Sequence, residues 1–408
     1  MKNFNSNNFE EKERRWKIIH EFLKNRKLDA LIVIGSRYRE PLDRYLTNWI
    51  PGCTVIFPFE GEPVLLVPMI PEMLTLTSET PENERPWIKD IRPGARGRVI
   101  VDVIKEKRIE NGNIGVVGLG GLGVDWEGWV PFKTWNRILN SLPNCNFHDV
   151  TTDFAELILI KSTSELLNVR KAAQVLEEAS IEMLKTVRNG VSELEVYVSI
   201  QNILSRNGVF IPKFILRSGP DNISWEDPPW FFGVGSPRIF KPGDIVQAEI
   251  FAWSACLEAQ VQVSIAIPPV SEVNYRCACL ARQAYEEGIK NLKPGKKFIE
   301  VVEKMEKVLD QPGVWHLTPL IHSLNPHLCI GPTGVRIEFL ANEGNYSKIS
   351  SGRIRGGDVI IKPGMIFELE PNACIGNHRI NIGGTVIVTE NGCEPLNKIP
   401  TEMRIADE

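Results

Sequence analysis

Apolar and polar positions alternate in two different ways along the chain, and the change falls near residue 155. Before it, short apolar runs bounded by turn residues (DALIVIG, CTVIFPF, EPVLLVP and NIGVVG) predict strands. Between and around them, EEKERRWKIIHEFLKNR, VIVDVIKEKR and FKTWNRILNSL space their apolar residues as helices do. Strands interleaved with helices predict an α/β domain over residues 1–155. His20 falls in the first helix, where packing or surface exposure accounts for it.

From residue 156 to 408 the pattern describes a second domain. Ser162 and Glu165 spell a capping box ahead of a long amphipathic helix that Gly190 ends, and SELEVYVSIQNILSRNG predicts a second helix. Strands follow at FILRSG, DIVQAEIFAW and CLEAQVQVSIAI. Two helices come next (VNYRCACLARQAYEEGIKNL and KFIEVVEKMEKVL), and two strands close the domain (MIFELEP and GTVIVTENG). This half repeats itself. NGVSELEVYVSIQNILSRNGV parallels PGKKFIEVVEKMEKVLDQPGV, and KPGDIVQAEI parallels KPGMIFELEP. Two such units closing on each other place Glu249 and Glu370 across a shared cleft.

Composition narrows the chemistry. The 408 residues are 43% hydrophobic and 24% charged with a net charge of −4, a globular composition without a basic run suited to nucleic acid. The opening MKNFNSNNFEEKERRW is polar, and no apolar run is long enough to span a bilayer, so the expectation is a cytoplasmic protein with no membrane partner. Eight scattered cysteines read as free thiols, mostly buried. Gly118, Gly120 and Gly123 spell GxGxxG after a strand, but no convincing helix opens there, and a glycine-rich turn is the expectation over a dinucleotide site.

The landmarks IKSTSELLNVRKAA, NGVSELE, FKPGDIV, IHSLNPHLCIG, IKPGMIFELEP and GTVIVTENGCE occur in this order. Together they resemble the creatinase/aminopeptidase P/prolidase superfamily over roughly residues 155–400, with a vaguer likeness over residues 10–150. The resemblance implies an α/β N-terminal domain and an α+β pita-bread C-terminal domain, two pseudo-symmetric halves around an antiparallel sheet, usually in a homodimer. Its metallopeptidases hold two divalent cations with two Asp, one His and two Glu. Carried over by position, the first Asp is Glu249, the second is Gln260, the His is His322 and the first Glu is Glu370. Gly383-Gly384 stands where the last Glu belongs. An amide and a glycine cannot offset the charge of two divalent ions, so no metal cofactor is expected.

Losing the metals points to the metal-independent creatinase-like branch, which HSLNPHLCIGPTGVRIEF, with Glu338 in it, resembles. Yet no histidine lies in SGPDNISWEDPP, where that branch keeps its base, and Gln262 stands where a carboxylate would grip a guanidinium. Alternate strand residues share a face, which gathers Gln247 with Glu249, Glu258 with Gln260, Gln262 and Ser264, and Glu368 with Glu370. Carboxyls crowded without metal cannot all ionise cheaply, and one that keeps its proton beside a carboxylate suits general acid–base catalysis. A solvated sheet face would show the same alternation with no function attached.

The candidate catalytic residues are therefore Glu370, His322 and Glu249. Gln260, Gln262, Trp225, Trp230, His327 and Glu338 are candidates for holding a small polar substrate. His378 and Arg379 read as a loop near substrate or solvent, and SWEDPPWFFGVG as a pocket wall. The leading expectation is hydrolysis of a C–N bond, or related lyase chemistry on the same groups. A metallopeptidase with a degenerate mononuclear site and an inactive binding protein on the same fold are the alternatives.

Overall fold

The protein is described by a computed structural model over residues 9–37, 41–122, 127–212, 214–221, 225–317, 319–327, 329–331 and 355–407. Contact density divides it into two compact units, Met1–Leu157 and Ile158–Glu408.

The first unit is a six-stranded mixed sheet. Its strands are β1 (Ala30–Ile34), β2 (Thr54–Pro58), β3 (Val64–Val67), β4 (Asp90–Pro93), β5 (Asn113–Val117) and β6 (Asn146–Asp149), in the order β4-β3-β2-β1-β5-β6. Helices Phe9–Arg26, Gly97–Glu106 and Phe132–Ser141 accompany it. One core of this unit joins Ile32, Ile56 and Leu66 of the sheet to Ile100 and Ile104 of the second helix. Of the glycine-rich stretch, Gly118 and Gly120 lie in a bend, and Gly123 lies outside the described residues. The backbone N–H groups of Gly118 and Gly120 donate to Thr151 Oγ1, at 2.9 and 3.3 Å, so the donors a phosphate would need are taken. His20 packs edge-on against Phe57.

The second unit carries β7 (Phe214–Gly219), β8 (Ile245–Ser254), β9 (Leu257–Ala266), β10 (Val314–Trp315), β11 (Ile321–Ser323), β12 (Ile366–Leu369), β13 (Asn372–Ile375), β14 (His378–Asn381), β15 (Gly383–Val388), β16 (Cys393–Pro395) and β17 (Arg404–Ile405). Its main sheet runs β11-β12-β15-β9-β8-β7, antiparallel along this path, with β16 beside β15 and β17 beside β9. The sequence repeat is visible atom by atom. Gly190 and Gly295 both have positive φ (85° and 86°) and donate to Phe240 O and Ile361 O, at 3.0 and 2.9 Å. A capping box at Ser192/Glu195 and, at the matching place, a Lys297 N–H bond to Glu300 Oε1 at 3.1 Å then start the equivalent helices Glu193–Arg206 and Phe298–Leu309. The halves meet where β15 pairs β9, with Gly383 opposite Gln262.

Helices Thr163–Thr186 and Glu193–Arg206 cover one sheet face. Val169, Leu176, Met183, Val196 and Ile200 pack with Val246, Ala248, Ile250 and Ala252 of β8. Strand alternation therefore turns Gln247 and Glu249 to the other face. That face is not solvated. Gln260 and Glu368 are 0% exposed, Glu370 1%, and Gln247, Glu249 and Gln262 3% each. The wet-sheet reading of these residues fails on that burial. The segment read as a loop at His378 and Arg379 is instead strand β14, and its Arg379 is buried.

All eight cysteines are free; Cys53, Cys277, Cys329 and Cys374 are buried, but Cys279 is exposed on the helix face turned outward. No helix among the described residues is long and apolar enough to cross a membrane.

Candidate active site

The matching strands of the two halves each carry a carboxyl to the site. Glu249 lies on β8 opposite Gln262 of β9, and Glu370 follows β12. The backbone N–H of Glu370 donates to Leu320 O at 2.9 Å. Trp225 Nε1 donates to Glu249 Oε2. Gln262 Nε2 donates to Glu370 Oε2 at 3.2 Å, so this amide links the neighbour of one carboxyl to the other.

His322 lies on β11, paired with Glu368 of β12, and its Nε2 is 3.2 Å from Glu370 Oε1. Its Nδ1 is 2.9 Å from Ser323 O, and a carbonyl only accepts, so Nδ1 carries a hydrogen. In the neutral ring Nε2 is then a lone pair, and the proton between the two groups sits on Glu370. Electrostatics agree. Burial pushes Glu370 up to about 8, with only partial relief from His327 and Arg379. Burial likewise drives His322 down to about 4. Near neutral pH the pair is a carboxylic acid donating to an imidazole.

Glu368 is held in the same condition. Burial and then the Glu370 carboxyl raise it well above the ordinary range, with Glu249 and Glu258 adding to the effect. It lies 2.9 Å from Thr385 Oγ1, which also accepts the Gln260 N–H at 2.7 Å. Glu258 goes the other way. Burial opposes its charge, but His327, Trp253 and Gln260 outweigh burial and hold it below the usual carboxylate range. Trp253 Nε1 is 2.5 Å and Gln260 Nε2 2.6 Å from its oxygens, and His327 Nδ1 is 3.4 Å away. The site thus keeps protonated and ionised carboxyls side by side.

Of the residues singled out from the sequence, Glu249, Gln260, Gln262, His322, His327, Glu370 and Trp225 are joined in this one network. The rings of His322 and His327 stand 4.8 Å apart, edge to face. Trp230 is not part of it. Its indole donates to Glu193 Oε2 at 2.8 Å and its ring packs on Tyr197, because the short helical turn Pro229–Phe232 points it back at helix Glu193–Arg206. Among the described residues of the aromatic loop, only Trp225 lines the pocket, with Arg217, Gln247, Glu249, Arg379 and Asn381. Glu338 lies outside the described residues. Glu258, Glu368 and Arg379 join the network without having been candidates. Strand alternation grouped the two carboxyls with the rest, while Arg379 was read only as part of a loop near substrate or solvent. His316 is a core histidine, its Nδ1 3.0 Å from Leu317 O.

The donors poorly fit the metal pair that the resemblance implies. Gln260 offers a neutral amide already engaged with Glu258, and residue 383 offers no side chain. A Cβ on Gly383 would overlap Leu369 O and come within 2.6 Å of Gln262 Oε1, so Gln262 fills the space a longer side chain would need.

These shifts give a pH prediction. The folded state binds the Glu370 proton up to about 8, whereas an unfolded glutamate releases it near 4.5, so stability falls as pH rises through that window. An unfolded histidine takes its proton near 6.5 and the folded His322 only near 4, so stability also falls as pH drops through that second window. Chemical denaturation from pH 4 to 9 should show both limbs lessened in Glu370→Gln and His322→Gln respectively.

A two-domain chain with an N-terminal α/β unit and a C-terminal pita-bread sheet has the prolidase-like fold. The prolidase from Pyrococcus horikoshii OT3 superposes with a TM-score of 0.72 over 95% of this chain and 99% of that one, at 17% identity. The chain belongs to metallopeptidase family M24, whose model matches residues 145–390. It is similar to an Xaa-Pro dipeptidase of Pyrococcus furiosus, 23% identical over 260 residues, covering 63% of this chain and 68% of that protein. It is also similar to an ectoine hydrolase of Halomonas elongata, 24% identical over 286 residues and 66% of each chain.

Proposed function

We propose that this protein is a metal-independent hydrolase of the M24 family that cleaves a C–N bond in a small polar molecule. The observation that carries the reading is the buried contact of Glu370 Oε1 with His322 Nε2 at 3.2 Å, while His322 Nδ1 is committed to Ser323 O. Hydrolysis requires a proton on the departing nitrogen and removal of one from the attacking water. Glu370 gives its proton to the nitrogen as the C–N bond breaks, and His322 Nε2 holds that proton in line until then. Glu249, fixed by the Trp225 indole, takes the proton of the water whose oxygen bonds to carbon. Return of that proton to Glu370 resets the site.

One of the similar proteins is named for hydrolysis of ectoine, a small molecule, which supports this substrate size. The Xaa-Pro dipeptidases among the relatives support the second reading, a peptidase with one metal on Glu249, His322 and Glu370. A screen of small C–N compounds and Xaa-Pro dipeptides, run in excess chelator and again with manganese, separates the two. Turnover in chelator is expected; dipeptide cleavage that appears only with manganese would refute the metal-independent reading. The inward burial of the network is also what an inactive binding protein would keep, and ligand binding without turnover in either arm identifies that case.

A further inference from the structure

Four carboxyls and a guanidinium are buried around this site: Glu249, Glu258, Glu368 and Glu370 are 3, 8, 0 and 1% exposed, and Arg379 is 3% exposed. Arginine keeps its charge at any ordinary pH, and burying that charge is costly unless an anion offsets it. Three of the carboxyls face other partners. Glu258 stands 3.4 Å from His327 Nδ1, Glu368 2.9 Å from Thr385 Oγ1 and Glu370 3.2 Å from His322 Nε2. Glu249 is the fourth, and it lines one pocket with Arg379. Burial works against the Arg379 charge, while Cys374, Glu249 and Glu370 support it. Arg217 lines that pocket too but is partly exposed, where water weakens its field.

Gln247 grips Arg379 at both its backbone and its side chain. Gln247 Oε1 accepts from Arg379 Nε at 3.0 Å, and Gln247 Nε2 donates to the Arg379 carbonyl. These two bonds fix which end of the amide is nitrogen and where the guanidinium stands. Gln247 and Glu249 are alternate residues of β8 and share a face, so the clamp and the carboxyl are neighbours. One pair further along, Ser264 Oγ donates to Asn381 O at 2.6 Å and holds β14 in the same way. Docking of the hairpin explains the hydrogen bonds. It does not explain the charge, since a neutral pair would dock the strand without burying a guanidinium.

We infer that Arg379 is a catalytic residue, the fixed positive charge that stabilises the negative charge formed when water adds to the reacting carbon. This rests on the proposed reading of the site as a C–N hydrolase. In the resting site Glu249 offsets the Arg379 charge. As the water oxygen bonds to carbon, its proton passes to Glu249, and the electron pair of the attacked double bond moves onto the atom that shared it. The negative charge thus leaves Glu249 and appears on the substrate in the same pocket. Arg379 meets it there without moving, and a donor held in place beforehand is what makes such stabilisation large. When the pair returns, the C–N bond breaks and Glu370 gives its proton to the departing nitrogen.

The test has one arm that needs no substrate. Methylphosphonate, a small tetrahedral anion, is titrated calorimetrically into Glu249→Gln, where the competing carboxylate is gone, and into Glu249→Gln/Arg379→Met. The single variant is expected to bind it at least about tenfold more tightly than the double variant, the worth of a charge-assisted contact. In the second arm, on a substrate found by screening, Arg379→Ala lowers kcat by about 10²–10³-fold with KM changed far less. Added methylguanidine should restore at least about tenfold of that loss, which a merely structural arginine would not allow. Gln247→Leu keeps the guanidinium but frees it, and should lower kcat by about tenfold or more. Native circular dichroism is checked throughout, and Gln247→Leu decides the second arm if Arg379→Ala does not fold. Equal methylphosphonate binding with and without Arg379, an unchanged kcat, or a loss that methylguanidine leaves untouched would each overturn the inference. Anion binding through Arg379 in a protein that turns nothing over in chelator sinks the hydrolase reading and leaves the anion contact standing. Turnover in chelator that Arg379→Ala does not slow does the reverse.

Discussion

Glu370→Gln lowers turnover by about 10²–10⁴-fold while leaving the fold intact, the loss typical for removing a general acid. The substitution keeps the shape and removes only the transferable proton. Glu370 is already neutral at the pH of interest, since burial lifts it to about 8. Glutamine therefore takes no charge out of the core, and its amide can still donate to His322 Nε2. By the same linkage the variant is more stable than the parent at neutral pH, because the stability the parent loses between 4.5 and about 8 is not lost in the variant. Steady-state kinetics on the substrate found by screening, with denaturation midpoints alongside, checks both halves. An unchanged rate removes Glu370 from the chemistry. A lost rate with a collapsed fold makes it a structural residue instead.

Gly383→Ala destabilises the protein by about 3 kcal/mol, at the upper end of what overpacking costs. The reason is backbone. The added methyl would overlap Leu369 O and lie 2.6 Å from Gln262 Oε1 and 2.8 Å from Glu370 Cα, with β15 held in register against β9 and β12. A carbonyl in a ladder cannot retreat as a flexible side chain could. Gly384 is the control, because its nearest neighbour is the Asn397 amide, a side-chain end that can move aside. Urea denaturation of Gly383→Ala and Gly384→Ala should separate them by about 2 kcal/mol. Equal midpoints would show that the strands yield easily at Gly383. The same crowding means that Gly383→Glu fails to restore the carboxylate the resemblance places there.

Much of the second unit was legible in its sequence because its turns and caps are local. Lys-Pro-Gly turns, the Ser162 capping box and Gly190 declare themselves within a few residues, and the repeat of turn, helix and strand is the repeat of the fold. The burial of the polar face was not legible, since Glu and Gln alternate alike on wet and buried strands. Only the hairpin β13–β14, which places Arg379 against Gln247 and Asn381 against Ser264, shows otherwise. That hairpin was itself missed because its strands carry Asn372, Arg379 and Asn381 where a buried strand ordinarily carries apolar residues. Trp230 shows a different limit. Its aromatic neighbourhood announced packing, but the choice between Glu249 and Glu193 as partner depends on the helical turn at Pro229–Phe232.

Because the resemblance places two of five family ligands at Gln260 and at Gly383-Gly384, and burial raises Glu370 to about 8, the account turns on a site that works without metal. The most direct test is elemental analysis of the purified protein after exposure to manganese, zinc and iron and subsequent desalting. The account predicts far less than one ion of any kind per chain. One tightly held ion per chain, lost together with its binding in Glu370→Gln, would contradict it and make Glu249, His322 and Glu370 the ligands of a mononuclear centre.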